Sequence, residues 1–348
     1  MILPGGSLLP VLGLLAALYI GLVLLRNRRL VRPPILGIDG APLLERTFTL
    51  SDGETVDLVV VGPTDPAGTA STPNAHPIFL VPGADGMKET FRYQVPALAR
   101  RRRVVCATLR QKLAPGDTLD RMADDVAEMA ADLLTTHDSD RFVLLGQSLG
   151  GTIAMRFAIR YPERLAGLVL SNTLARISYD HLGLNRALLA PLAMFTTRYL
   201  PTGVTRVLAR VWSRLEVWIY DASPGSKRII DYALWTGPRT VPSSVSNARV
   251  ARLKKIDLRP ELPSVRAPTL VLKGSRDHYV PPACSHEIVA LVPGARYQEV
   301  AGTGHCSHLS MPGSFNGLLL GWLESVVDGN DEALRPGTHP RPATEVGE

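Results

Sequence analysis

An α/β architecture, a mostly parallel sheet with helices on both faces, is what this sequence predicts, and three observations predict it. Short apolar runs recur without alternation, as strands covered on both faces require. Amphipathic helical patterns separate these runs, and strands that alternate with helices pair in parallel through right-handed crossovers. A stretch of about ninety residues then breaks the rhythm with helical patterns alone, which marks an insertion.

The 348-residue chain has no charged side chain before Arg26. Leu8 to Leu25 is almost wholly apolar over 18 residues, which at ~1.5 Å per residue makes a helix of about 27 Å, close to the ~30 Å hydrocarbon core of a bilayer. Arg26, Arg28, Arg29 and Arg32 follow the run instead of preceding it, and no A-x-A-like site comes before Arg26. The segment 1–30 therefore reads as a retained single-pass anchor, with a cleaved signal or a buried hydrophobic helix as the other readings. Arginines remain on the cytoplasmic side, so a membrane protein with a cytoplasmic catalytic body is expected.

From Leu44 to Val61 the pattern is strand, turn, strand: TFTL, then Ser51-Asp52-Gly53-Glu54, then TVDLVVV, with Asp-Gly supplying the turn. Gly62 to Asn74, rich in Pro, Gly, Thr and Ala, reads as a loop. Buried-strand runs follow: IFLV at 78–81, RVVCATL at 103–109, RFVLLG at 141–146, LAGLVLS at 165–171 and TLVLKG at 269–274. Leu119, Met122, Val126, Met129 and Leu133 recur at helical spacing between the second and third of them. From Leu174 to Arg266 helical patterns (Leu188 to Tyr199, Val204 to Tyr220) stand without a strand run. A core in two parts, 44–173 and 267–327, is thus expected around an insertion at 174–266, and the polar, Pro-rich stretch 328–348 reads as a disordered tail.

A composition of 45% hydrophobic and 20% charged residues is globular and excludes disorder, collagen and coiled coil as whole-chain readings. The cysteines, Cys106, Cys284 and Cys306, are odd in number and scattered, which is not a disulfide framework and fits a reducing compartment. The formal charge of +6 is uneven: the insertion carries 12 Arg and 3 Lys against 4 Asp and 2 Glu, a net +9. That surplus reads either as a solvated helix surface or as a face for anionic lipid headgroups above a lipid-like substrate. Nucleic acid is not an expected partner. Cys306 near His308, and Cys284 near His286, lack a zinc spacing, so no metal is expected; the run Arg100 to Arg103 reads as a solvated helix end.

The sharpest local pattern is Gly146-Gln147-Ser148-Leu149-Gly150, which follows a strand run and precedes the helical pattern Thr152 to Tyr161. G-x-S-x-G in that setting is a nucleophile elbow: the chain turns sharply from strand to helix, and larger residues at the glycine positions would crowd the turn. Ser148 would stand at a helix N-terminus, where the Leu149 N–H could receive charge developing on an acyl oxygen. An acid and a base are needed later in the chain, in that order. Asp277 lies just past the TLVLKG strand, and His305 just past the strand-like ARYQEV, both at strand carboxyl ends, where ligand sites of open α/β sheets collect. His278 and His308 are rival bases by proximity, and a solvated carboxylate and a turn histidine are the bland alternatives for the favoured pair.

On GQSLGG at 146–151, GSRDHYVP at 274–281 and GTGHCSH at 302–308, followed by Met311-Pro312 and Phe315, the chain resembles the α/β-hydrolase superfamily over residues 44 to 327. The resemblance implies a helical cap after the sixth strand, where 174–266 stands. It implies Ser148 as nucleophile, His305 as general base and then acid, and Asp277 as the carboxylate that orients the imidazole. The second oxyanion donor of the family comes from the loop after the third strand, here LVPGADG, and falls to the Ala84 N–H; Pro82 stands where the family often has histidine.

The expectation is a cofactor-free serine hydrolase acting on a small-molecule or lipid-like ester through an acyl-enzyme. An acyltransferase, a C–C hydrolase and a cofactor-free haloperoxidase use the same residues, and a non-catalytic binding or scaffold protein on this fold is the alternative outside enzymes.

Overall fold

The computed structural model describes residues 8–29, 33–63, 75–134, 141–177, 188–239 and 243–329. Most of the expected loop, at 64–74, and all of the expected tail beyond residue 329 lie outside them.

Helix α1 spans Leu8–Arg29. Strands β1 (Arg46–Thr49) and β2 (Thr55–Val61) form the hairpin, antiparallel, with Thr49 opposite Thr55 across the Asp52-Gly53 turn. The chain continues through β3 (Ile78–Val81), α2 (Gln94–Ala99), β4 (Val104–Ala107), α3 (Leu119–Leu133), β5 (Phe142–Gln147), α4 (Leu149–Arg160) and β6 (Leu165–Ser171). Among the described residues four α-helices intervene, α5 (Ala190–Tyr199), α6 (Thr202–Arg214), α7 (Ser226–Arg239) and α8 (Ser243–Leu253). The sheet then resumes with β7 (Thr269–Gly274), α9 (Pro282–Leu291) and β8 (Arg296–Val300), and the short α10 (Ser307–Ser310) and α11 (Pro312–Trp322) close the fold. The eight strands make one sheet in the order β1-β2-β4-β3-β5-β6-β7-β8, parallel from β4 to β8.

Both faces of the sheet are covered, which is why its strands read as unbroken apolar runs. Along β3, Phe79 and Val81 point into one cluster with Met122 and Val126 of α3, Ile153 and Phe157 of α4 and Ile288 of α9. Ile78 and Leu80 point the other way, into a cluster with Val95 and Leu98 of α2 and Phe315 and Leu319 of α11. The Thr118 hydroxyl caps α3 by accepting from the Asp120 N–H at 3.2 Å, a contact of the kind that contributes ~1 kcal/mol.

Helices α5 to α7 have a core of their own, with Tyr220, Ile229, Ala233 and Trp235 buried together and joined by Leu309 from α10, whereas Leu253 of α8 packs into the cluster that holds Phe79 and Val81. The helical pattern read to Tyr220 stops at Arg214, because Glu216 (φ 52°) and Trp218 (φ 58°) take left-handed conformations that end a right-handed helix.

One expectation is corrected. Among the described residues no helix is long and apolar enough to cross a membrane. The single-pass anchor at 1–30, the transmembrane helix, the membrane localisation with a cytoplasmic catalytic domain and the membrane contact through this helix are not supported.

Candidate active site

The site stands at the carboxyl edge of the parallel strands. Ser148 follows β5 directly and has φ 53° and ψ −121°, a sparsely populated conformation for a residue with a side chain. The surroundings hold it there: its N–H donates to the Ser171 carbonyl (2.9 Å), and its own carbonyl accepts from the Thr173 hydroxyl (2.6 Å). The elbow glycines permit the close approach, since a Cβ on Gly146 would run into the Gly150 carbonyl and one on Gly150 into the Val81 carbonyl. This strain lifts a half-buried hydroxyl clear of the sheet at the first turn of α4, where N–H groups have no intrahelical carbonyl to bind.

His305 Nε2 lies 3.0 Å from Ser148 Oγ, and His305 Nδ1 lies 3.0 Å from Asp277 Oδ2. An ionised carboxylate only accepts, so Nδ1 carries the proton and donates to Asp277, leaving Nε2 to accept from the serine hydroxyl. The other carboxylate oxygen accepts the N–H groups of Tyr279 (3.0 Å) and Val280 (2.9 Å). Lys273, fully buried in β7, places its Nζ 2.9 Å from Asp277 Oδ2 and donates to the Asp277 carbonyl at 3.1 Å. Burial by itself would raise the Asp277 carboxyl, but the imidazole, the ammonium and the Val280 N–H outweigh it and hold it at about 2. Burial also pushes the Lys273 ammonium down, against the pull of Asp277.

The loop that carries Ala84 passes beside Ser148, for a Cβ on Gly83 would sit 3.4 Å from Ser148 Cβ. Gly86 N–H closes the turn on the Gly83 carbonyl at 2.9 Å. Leu149, the other expected donor, is the first residue of α4. Ser148, His305 and Asp277 are thus brought into one line, with Leu149 next in the chain to Ser148 and the Ala84 loop alongside.

The rival histidines do not. His278 is exposed and faces Glu216 at 3.0 Å. His308 is fully buried with its Nε2 2.7 Å from Thr90 Oγ1, and burial drives its pKa down to about 3. The cysteines are free, Cys106 and Cys306 buried and Cys284 partly so, and among the described residues no cluster of His, Cys, Asp and Glu is arranged to hold a metal.

Four residues at the site were not singled out from the sequence. Lys273 left one signal, a lone cation inside an apolar strand run four positions before Asp277. Asp221, Tyr232 and Arg249 left none, for they come from the insertion. Asp221 accepts the Gly304 N–H at 2.8 Å, one residue before His305. Tyr232 and Arg249 reach the Ala84 loop.

Comparison with known proteins agrees with this geometry at the level of family. The family described as alpha/beta hydrolase fold matches residues 76–312. Over 258 residues the chain is 31% identical to the polyketide synthase ThaQ of Burkholderia thailandensis, covering 72% of this chain but only 12% of that protein. Over 279 residues it is 26% identical to the carbamate hydrolase RutD of Shigella flexneri, covering 74% of this chain and 94% of the relative. Among solved structures, a hydrolase from Pseudomonas aeruginosa superposes with a TM-score of 0.60 at 24% identity, over 80% of this chain and 98% of that one. The enol-lactonase of Burkholderia xenovorans gives 0.57 at 22%, over 80% and 99%. These two likenesses concern the fold.

Proposed function

The chain belongs to the alpha/beta hydrolase fold family, and from that premise we propose that it is a serine hydrolase that cleaves a carboxylic ester or related acyl bond through an acyl-enzyme. The observation that carries this reading is the unbroken line of hydrogen bonds from Ser148 Oγ through His305 to Asp277.

In this mechanism His305 Nε2 takes the Ser148 proton as Oγ attacks the acyl carbon. Asp277 keeps the imidazole in the tautomer that can accept and stabilises the imidazolium; held at about 2, its carboxyl is charged across the neutral range. The tetrahedral oxyanion is received by the N–H groups of Leu149 and Ala84, each a donor of the kind worth ~10²–10³ in rate. His305 then returns the proton to the leaving alcohol, and a water activated by the same imidazole releases the acid. Helices α5 to α8, within 174–266, serve as a cap that shapes the acyl pocket.

A relative named as a carbamate hydrolase gives a second reading, in which the attacked carbonyl belongs to a carbamate. The test is hydrolysis of p-nitrophenyl esters of graded chain length beside a p-nitrophenyl carbamate, with wild type and Ser148→Ala and with a competing alcohol present. Ester turnover that disappears in the variant and yields free acid supports the proposal. Turnover confined to the carbamate selects the second reading, ester product with the added alcohol selects acyl transfer, and turnover that survives in Ser148→Ala overturns the serine mechanism.

A further inference from the structure

Arg249 is a guanidinium withdrawn from the surface. It lies on α8 of the insertion, is fully buried, and donates to three backbone carbonyls of the core: Ala84 at 3.1 Å from Nη1, and Leu109 and Arg110 at 3.2 and 2.7 Å from Nη2. The core is shaped to admit it. Gly86 has φ +71° and lies close against the guanidinium, so a Cβ there would collide with it. One residue along the same loop, Asp85 Oδ2 accepts the hydroxyl of Tyr232 on α7 at 2.6 Å, while its Oδ1 accepts the Met87 N–H at 3.2 Å. Two helices of the insertion therefore grip consecutive residues of the loop that carries the expected oxyanion donor.

We propose that Arg249 and Tyr232 are positioning residues for the oxyanion hole, so that the insertion completes the catalytic site instead of only covering it. This inference rests on the reading of Ser148 as nucleophile and Ala84 as donor. Geometry supplies the first reason. The Ala84 N–H shares a peptide unit with the Gly83 carbonyl, which the Gly86 N–H holds; Arg249, holding the Ala84 carbonyl, fixes the next peptide unit, so the backbone is held on both sides of the Ala84 Cα. A donor rotated away from the developing charge loses most of its effect, because oxyanion stabilisation depends on preorganised distance and angle. Charge supplies the second. Asp85 follows the donor directly, and a bare carboxylate there would oppose negative charge on the substrate oxygen. Burial raises the Asp85 carboxyl, and the Tyr232 hydroxyl, the Met87 N–H and the Arg249 charge pull the other way; the hydroxyl and the guanidinium thus offset negative charge beside the donor. Burial lowers Arg249 to about 10, which leaves it a cation at neutral pH.

The test separates positioning from simple support of the fold. Arg249→Met, Arg249→Lys and Tyr232→Phe are compared with wild type in kcat per titrated active site, from the burst of p-nitrophenol, and in affinity for an aliphatic trifluoromethyl ketone, whose serine adduct bears an oxyanion. Arg249→Met is expected to lose about 10- to 100-fold in kcat per site and a similar factor in ketone affinity, with KM little changed. Arg249→Lys keeps the charge but not the three-carbonyl grip and should fall between; Tyr232→Phe should lose several-fold. Variants that yield less titratable enzyme, yet match wild type per site and in ketone affinity, would overturn the inference and leave these residues as structural supports. Should Arg249→Met not fold, the other two variants decide the matter by the same readouts. A wild-type protein with neither burst nor ketone adduct would instead overturn the serine reading, and this inference with it.

Discussion

Ser148, Asp277 and His305 stand on loops that leave β5, β7 and β8 at one edge of the sheet, and their mutual contacts come from the core alone. The loops bearing Ala84 and Gly304 are held from the other region, by Arg249, Tyr232 and Asp221 of the helical insertion. The difference teaches how the labour is divided. The sheet sets the order and spacing of Ser148, Asp277 and His305, while side chains of the insertion hold the loops beside them. Changes at the rim should therefore remove the chemistry, and changes in the insertion should blunt it.

The largest effect is expected at the nucleophile: Ser148→Ala should lower kcat for a p-nitrophenyl ester by ~10⁴-fold or more, leaving only catalysis by the oxyanion donors and binding. Next comes Asp277→Asn, with a loss of about 10³–10⁴, because the amide no longer dictates the productive imidazole tautomer. If the insertion only aims the loops, Asp221→Ala should cost about 10- to 100-fold in kcat/KM, since it leaves the buried Gly304 N–H without its acceptor one residue before His305. A loss as large as that of Asp277→Asn would break the division between the regions.

The smallest kinetic effect is expected at His308, where the comparison turns on stability. Its folded-state pKa of about 3 lies below the ordinary value of 6.5. As pH falls below 6.5 the unfolded chain takes up this proton first, so stability is full above that point and is lost progressively toward pH 3. Denaturant melts of His308→Gln should show a shallower loss over this window, by several kcal/mol at its acid end, while kcat at neutral pH stays within a few-fold of wild type.

The rim was legible because each of its residues sits in a local pattern with a physical cause. The glycines of GQSLGG announce the crowded elbow, Asp277 follows an apolar run that only a covered strand would need, and His305 follows the strand-like ARYQEV through a glycine-bearing turn. The strands LAGLVLS and TLVLKG appear with the bounds their sequences imply. Helix α6 was read too long, for nothing in Arg214-Leu215-Glu216 marks the left-handed turn that ends it. The insertion's contacts were illegible for a different reason. Arg249 looks like any other arginine of a basic helical stretch, and only the tertiary fold reveals that three carbonyls and a glycine without room for a side chain await it. Leu8 to Leu25 teaches the converse, since an apolar run of suggestive length was read as a span that the described helix does not support.

The central claim is that Ser148 is made nucleophilic by His305, and labelling with a fluorophosphonate followed by peptide mass mapping tests it most directly. The account predicts a single adduct, on the peptide containing Ser148, formed quickly in wild type and at least a hundredfold more slowly in His305→Ala (about that much for loss of a general base). An adduct at any other residue, or equal labelling rates with and without the imidazole, would contradict it.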